Sequence, residues 1–327
     1  MSEIYITTQV NGGLIKNPQP KFSSMIRPES SHQGALTQAI VANNPAALES
    51  LFQLGIDPNV TRCEDGELPL LKAAKCGSDQ AMSVILKHDA SVTATDTHGN
   101  TALHMAAMIG NISCVHLLLQ HGIPINIFNS FDVTPLMHAV YFGHIDIVRY
   151  LILQGASTTP ELNSSNESAL TYASHMGNVA ILELLLTVEV PIEYRRRELY
   201  ASLAEAALGR HMSVVQILLA RGAPVNFSDT SIQRPLHAAI CGGNESIVRL
   251  LLSRGANIEA TNQNGDTPLI LATGRRNVNM VIILLDAGAD INAVNEVTGD
   301  TAFSVAEERR YTELSDILLK APTNRTL

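Results

Sequence analysis

The chain repeats itself, and this limits its fold more than any other feature. "GNTALHMAAMIGNISCVHLLLQHG" (99–122) and "DVTPLMHAVYFGHIDIVRYLILQG" (132–155) share one plan. "IQRPLHAAICGGNESIVRLLLSRG" (232–255) and "GDTPLILATGRRNVNMVIILLDAG" (265–288) follow it. With the first residue of a T-P-L-H tetrad as phase marker, units begin at 34, 68, 101, 134, 168, 201, 234, 267 and 301. The steps are 33 or 34 residues. Self-similarity at this period specifies a one-dimensional stack of units rather than a globule with one central core.

Each unit reads as two helices and an extended finger. Thr at the head of the tetrad is a good N-cap, and Pro after it takes the first helical position, where its missing N–H costs nothing. His, two residues after Pro, sits in the first turn, where a side chain can help satisfy free amides. In the fourth unit Leu136, Ala139 and Val140 form the buried stripe of a short helix, which Gly143 breaks. Ile147, Val148, Leu151 and Ile152 supply the apolar face of a second helix, closed by Gly155. Neither helix can bury its apolar face alone, so neighbouring units must stack. The fold class expected is an all-α repeat: an α-solenoid of helix-turn-helix units with short β-hairpin-like fingers.

The pattern resembles the ankyrin repeat, T-P-L-H-x-A-A, then G-H, then V-x-x-L-L, then G-A-x-x-N. In the third unit Thr101, Leu103, His104, Ala106, Ala107, Gly110, Leu118, Leu119, Gly122 and Asn126 match it. In the seventh, Leu236, His237, Ala238, Ala239, Gly255 and Ala256 lie at or near family positions. The resemblance runs from about 34 to 321. It implies a protein-binding role, since the family is used to bind many unrelated partners.

The domain plan is an N-terminal arm (1–33), read as flexible from its Ser, Pro and Gly content, a solenoid of about nine units (34–321) and a short tail (322–327). The last unit, "VAEERRYTELSDILLKA", is more polar than interior ones, as a terminal cap should be. The middle is irregular. Glu189 stands where a helix-closing Gly belongs, and Leu199 replaces the turn Gly of the next finger. A distorted finger carrying Arg195, Arg196 and Arg197 is expected there.

Composition narrows the role. Of 327 residues, 46 % are apolar and 16 % charged, which suits an ordered chain. A net charge of -9 argues against broad nucleic-acid binding and against anionic membrane surfaces. No apolar run reaches the roughly 18 residues of a membrane span, and the start lacks a signal peptide's pattern. Cys63, Cys76, Cys114 and Cys241 are scattered without a C-x-x-C pair. A reducing compartment, the cytoplasm with the nucleus also open, is expected, and the sequons at Asn111, Asn166 and Asn244 are expected to be unglycosylated.

Chemistry finds little support. His104 and His237 fall on the tetrad's structural position, and His144 and His211 at the start of a second helix. His98, His121 and His175 lack a Cys, Asp or Glu at a ligand spacing, so no metal is expected. There is no H-E-x-x-H, G-x-S-x-G or G-x-x-x-x-G-K-[ST]. "CGGNESIV" resembles a phosphate loop only faintly, since Gly242 and Gly243 sit at the ordinary break between helices. No catalysis and no cofactor are expected. Asn59, Asn126, Asn226 and Asn292 occupy a finger position that looks like one modified by asparaginyl hydroxylases in related repeats. A structural role, tying down the finger, is the simpler reading of their presence.

The resemblance places partner contacts on the fingers and the exposed ends of the first helices, which line a concave groove. Read by position, the second unit offers Glu64, Asp65, Glu67, Lys75 and Cys76. The third to fifth offer Met108, Ile109, Phe128, Phe131, Val133, Tyr141, Phe142, His175, Met176 and Arg195. Beyond these the positions turn small or polar, apart from Tyr200, with Arg275 and Arg309 near the far end. A chain with 14 aromatic residues and no Trp has thus gathered four of them at groove positions in one unit and its borders. Contiguous exposed apolar surface marks an interaction site, and aromatics anchor such sites. The expected function is a non-enzymatic adaptor or scaffold, monomeric by itself, that takes a partner protein's peptide or helix over the third to fifth units. The acidic fingers of the second unit and the downstream arginines would set its direction. Alternatives are a regulator that occludes an enzyme or transcription factor, and a methyl-lysine reader in which Phe128, Phe131, Tyr141 and Phe142 with Glu161 or Glu167 form an aromatic cage. An enzyme with an unrecognised site ranks last.

Overall fold

The computed structural model describes residues 28–159, 167–227 and 234–321. Within them the chain forms eighteen α-helices in nine pairs. The first helices are α1 (Pro28–Val41), α3 (Pro69–Cys76), α5 (Ala102–Ile109), α7 (Pro135–Tyr141), α9 (Ala169–Met176), α11 (Ile192–Leu208), α13 (Pro235–Gly242), α15 (Pro268–Gly274) and α17 (Ala302–Glu308). The second helices are α2 (Pro45–Gln53), α4 (Asp79–Lys87), α6 (Ile112–Gln120), α8 (Ile145–Leu153), α10 (Val179–Leu186), α12 (Met212–Ala220), α14 (Glu245–Ser253), α16 (Val278–Asp286) and α18 (Thr312–Lys320). Helix α1 begins inside the segment read as an arm, and residues 1–27 of that segment and the tail at 322–327 lie outside the described residues. None of the described helices is long and apolar enough to cross a membrane.

Local chemistry sets the helix ends. Thr134, Ser168, Thr267 and Thr301 each accept the amide of the residue three positions on, and Pro69, Pro135, Pro235 and Pro268 open their helices. Asn takes this capping role in the second helices, at Asn44, Asn111, Asn178, Asn244 and Asn277. Gly143 and Gly155 end α7 and α8 with φ of 81° and 86°, which a side chain would strain.

Stacking supplies the core. Leu136, Ala139, Val140, Ile147, Val148 and Leu151 are buried, and the equivalent columns of the other units join them in one continuous apolar cluster. Removing one such Leu would cost about 2–5 kcal/mol, because stiff helices above and below cannot close the cavity. First helices pack on first helices and second on second, so each unit shares its core with both neighbours.

Polar groups lock the stack as firmly. His144 and His211, at the start of second helices, donate from Nε2 to the carbonyls of Met108 and His175 in the preceding unit, at 3.0 and 2.8 Å. Arg275 and Arg309 reach back to the equivalent carbonyls of Cys241 and Gly274. These carbonyls, left over at the C-terminal ends of first helices, are thus satisfied from the next unit. The finger asparagines tie units together: Asn59 takes the Ser91 amide, Asn126 that of Ser157 and Asn226 that of Asn257.

Candidate functional site

The fingers are short closed loops. Backbone bonds from Cys63 to Glu67, Asp96 to Asn100, Asn129 to Val133, Asn262 to Asp266 and Asn295 to Asp300 pinch them, with isolated bridges Thr95–Thr101 and Val294–Thr301. In the fourth unit's finger the buried Asn129 side chain accepts the amides of Phe131 and Val133 and donates to Asn100 of the finger before it. The turn is completed by Asp132 at φ 58°. Phe131 is therefore held out on a rigid loop. It is 60 % exposed, and its ring stacks on His98 at 5.9 Å, over a backbone bond from Ser130 to the His98 carbonyl.

A second cluster lies at the end of α7. Tyr141 and Phe142 are 43 % and 46 % exposed and meet edge to face at 5.1 Å. Phe142 touches His138, and His138 touches His104. Tyr141 meets Tyr172 of the fifth unit at 6.1 Å. Burial holds His104 and His138 below the ordinary imidazole range, so both rings are neutral supports rather than charged contacts. Ile109 and Met176 are exposed on the flanking helices, while Met108 is half-buried against the core and Val133 half-buried in its finger. Phe128 is exposed and makes no ring contact among the described residues.

These rings form two separate groups, one built on Phe131 and one on Tyr141 and Phe142. No ring contact joins them among the described residues. Glu167 accepts the Tyr172 hydroxyl at 2.8 Å, and Glu161 lies outside the described residues. Of the four aromatics, only Tyr141 and Phe142 are in ring contact with each other among the described residues.

Three expectations about charge and position are corrected. The finger expected at Arg195–Arg197 is helix: α11 starts at Ile192, nine residues before its unit's phase mark at Ala201, and runs for 17 residues. Arg195 lies on this helix and donates to Glu198 at 2.8 Å and to the Val188 carbonyl. Tyr200, expected on the groove, is fully buried against Phe227, because continuing the helix turns it inward. Asp65 and Glu67 are paired with Lys72 and Lys75, and Arg275 and Arg309 serve the backbone, so these four of the charges expected to orient a partner are taken up within the chain.

The apolar column also has a physical end. Where Phe142 and Met176 stand in the fourth and fifth units, the sixth and seventh carry Gly209 and Gly242. A Cβ on Gly242 would come within 2.7 Å of the Leu208 carbonyl oxygen, so α11 and α13 pack too closely for a side chain.

Family models described as ankyrin repeats match residues 36–129, 203–295 and 257–326 in one case and 110–152 in the other. The chain belongs to the ankyrin-repeat family. No other domain is found along it, and a comparison with curated proteins gives no match. The ankyrin matches leave a gap between residues 152 and 203, which contains the helical replacement of the finger by α11. Ankyrin repeats generally mediate protein–protein interaction and are typically not enzymes. Among the described residues no group of three or more His, Cys, Asp or Glu is placed to hold a metal. The four thiols are free, and burial pushes Cys63 up to about 11 and Cys114 up to about 12, which makes both poor nucleophiles.

Proposed function

We propose that this ankyrin chain is a non-enzymatic adaptor, acting as a monomer in the cytoplasm, whose third to fifth units bind an apolar peptide or helix of another protein. The observation that carries it is the exposure of Phe131, Tyr141 and Phe142 on a rigid frame. Large rings left in water cost free energy unless a partner covers them, and a locked loop loses little entropy when it does. Ile109, Phe128 and Met176 extend the apolar surface, and Met offers an adaptable margin. His175 belongs to the polar border of this face. Arg195 is left out of it, since its guanidinium is engaged with Glu198.

The test is a pull-down in which wild-type protein is compared with a Phe131→Ser, Tyr141→Ala, Phe142→Ser variant, circular dichroism showing equal helicity and melting. A specific protein captured only by the wild type is the expected result, and its identity separates a scaffold from a regulator that occludes its target. Identical captured sets would mean that the aromatics serve packing and that the binding face lies elsewhere.

A further inference from the structure

Helix α1 differs from most other first helices in where it starts. Helices α3, α5, α7, α9, α13, α15 and α17 begin one residue after their phase marks, whereas α1 begins at Pro28, seven residues before the equivalent position 35. That adds about 10 Å of helix at its N-terminal end. The second unit's finger rests on α1 at Gly34 and Thr37: the Glu64 amide donates to Thr37 Oγ1 at 2.9 Å, and a Cβ on Gly34 would come 2.8 Å from Glu64 Oε1. The added turns lie N-terminal to that contact. The chain therefore enters α1 from the finger side of the stack, the side on which Phe131 stands in the fourth unit's finger.

The sequence ahead of α1 complements that side in two ways. It contains "EIYITTQV" (3–10), and an extended segment of this sequence puts Ile4, Ile6 and Val10 on one side. Such a segment offers anchors about 7 Å apart, which suits a face made of two separate ring groups. Between it and α1 stand Lys16, Lys21 and Arg27, against the single acid Glu3 at its head. Residues 28–190, which hold α1 to α10, carry fifteen Asp and Glu against five Lys and Arg. That excess is a field over the whole stretch, and it requires no single carboxylate to lack a partner. Reach is ample. First helices stack on first helices, so α7 lies three steps from α1, about 30 Å. The chain from Ile6 to Pro28 spans up to about 70 Å.

We propose that residues 4–10 of this same chain lie across Phe131, Tyr141 and Phe142, so that the protein covers its own binding face and a partner must displace the cover. This rests on the face proposed above and adds how access to it is regulated. A tethered occupant acts at an effective concentration on the order of millimolar, so even weak contacts hold it in place. A partner then binds more weakly by the fraction of molecules whose face is open. The basic stretch from Lys16 to Arg27 runs along the acidic units and steers the segment towards the face.

The full chain with photoreactive p-benzoylphenylalanine in place of Ile6, irradiated in dilute solution, tests this. Mass spectrometry of the monomer should place the cross-link between Phe128 and Met176. Its yield should fall about tenfold when Phe131→Ser, Tyr141→Ala and Phe142→Ser are added, circular dichroism showing unchanged helicity. It should fall as well with Lys16→Glu, Lys21→Glu and Arg27→Glu. No cross-link, one to α1 or α2, one only between molecules, or a yield indifferent to both sets of substitutions would overturn the inference. It fails separately from the adaptor reading. If the cross-link lies elsewhere while a protein is captured through Phe131, Tyr141 and Phe142, the face stands and its own-chain occupant is wrong. If the cross-link lies on the face but no protein is captured even by an Ile4→Ser, Ile6→Ser variant, the occupant stands and the adaptor reading fails.

Discussion

His104 Nε2 lies 3.0 Å from the carbonyl oxygen of Val133, so the first helix of the third unit holds the finger of the fourth. The other ring nitrogen accepts the Thr101 amide at 3.2 Å, which fixes the neutral tautomer with its proton on Nε2. A second proton would turn Nδ1 against that amide inside an apolar stack. Burial accordingly pushes the His104 pKa down to about 4, and lowers those of His138 and His237.

The folded value lies below the unfolded one of about 6.5, so the unfolded chain binds more protons between the two. Stability from this source is complete above about 6.5 and falls as pH drops towards 4, by up to about 3 kcal/mol for His104. The urea midpoint of the wild type should fall between pH 7 and about 5 more steeply than that of His104→Gln, which cannot titrate. Parallel pH profiles would show that His104 is not held neutral by the fold.

Most of this architecture could be read from the sequence because the repeat writes the same two-helix plan nine times, with caps and breaks recurring in most units. The exposure of Phe131, Tyr141, Phe142 and Met176 at the positions given by phase counting could be read as well. Phase counting failed where the local rule changed. "IEYRRRELYASLAEAAL" contains no Gly, Pro or Asn from Ile192 to Leu208 and is rich in strong helix formers. Such a segment favours one long helix over the finger that the repeat period implies. The same helix turns Tyr200 into the core. The pairing of Glu167 with Tyr172 and of His175 with Glu205 was not legible, since each depends on side-chain reach across or along helices rather than on spacing.

The helix that replaces the finger carries a buried ion pair between Arg195 and Glu198. Glu198 is almost wholly buried, and burial raises its pKa against the opposing pull of Ser168 and Arg195. Arg195→Ala should cost about 3–5 kcal/mol, because it leaves a buried carboxylate without its cation. Replacing both residues by Met and Leu should recover most of that loss. Thermal melts of the single and double variants decide it; equal losses in both would show that the pair's packing, not its charge, holds α11.

Two helical glycines make opposite predictions from similar sequence. At Gly242 an added Cβ would sit 2.7 and 2.9 Å from the carbonyl oxygens of Leu208 and Ala207, which are backbone atoms that cannot turn aside. At Gly274, which ends α15, the nearest atom would be the Arg309 guanidinium nitrogen at 3.6 Å, an ordinary contact. Gly242→Ala must push α13 away from α11 and should destabilise by about 1–3 kcal/mol. Gly274→Ala restricts the unfolded chain without a clash and should stabilise by up to about 1 kcal/mol. Chemical denaturation of both variants beside the wild type checks the pair. Stabilisation by both would mean that α11 and α13 are not in close backbone contact, and the absence of a side chain at Gly242 in the apolar column would then need another cause.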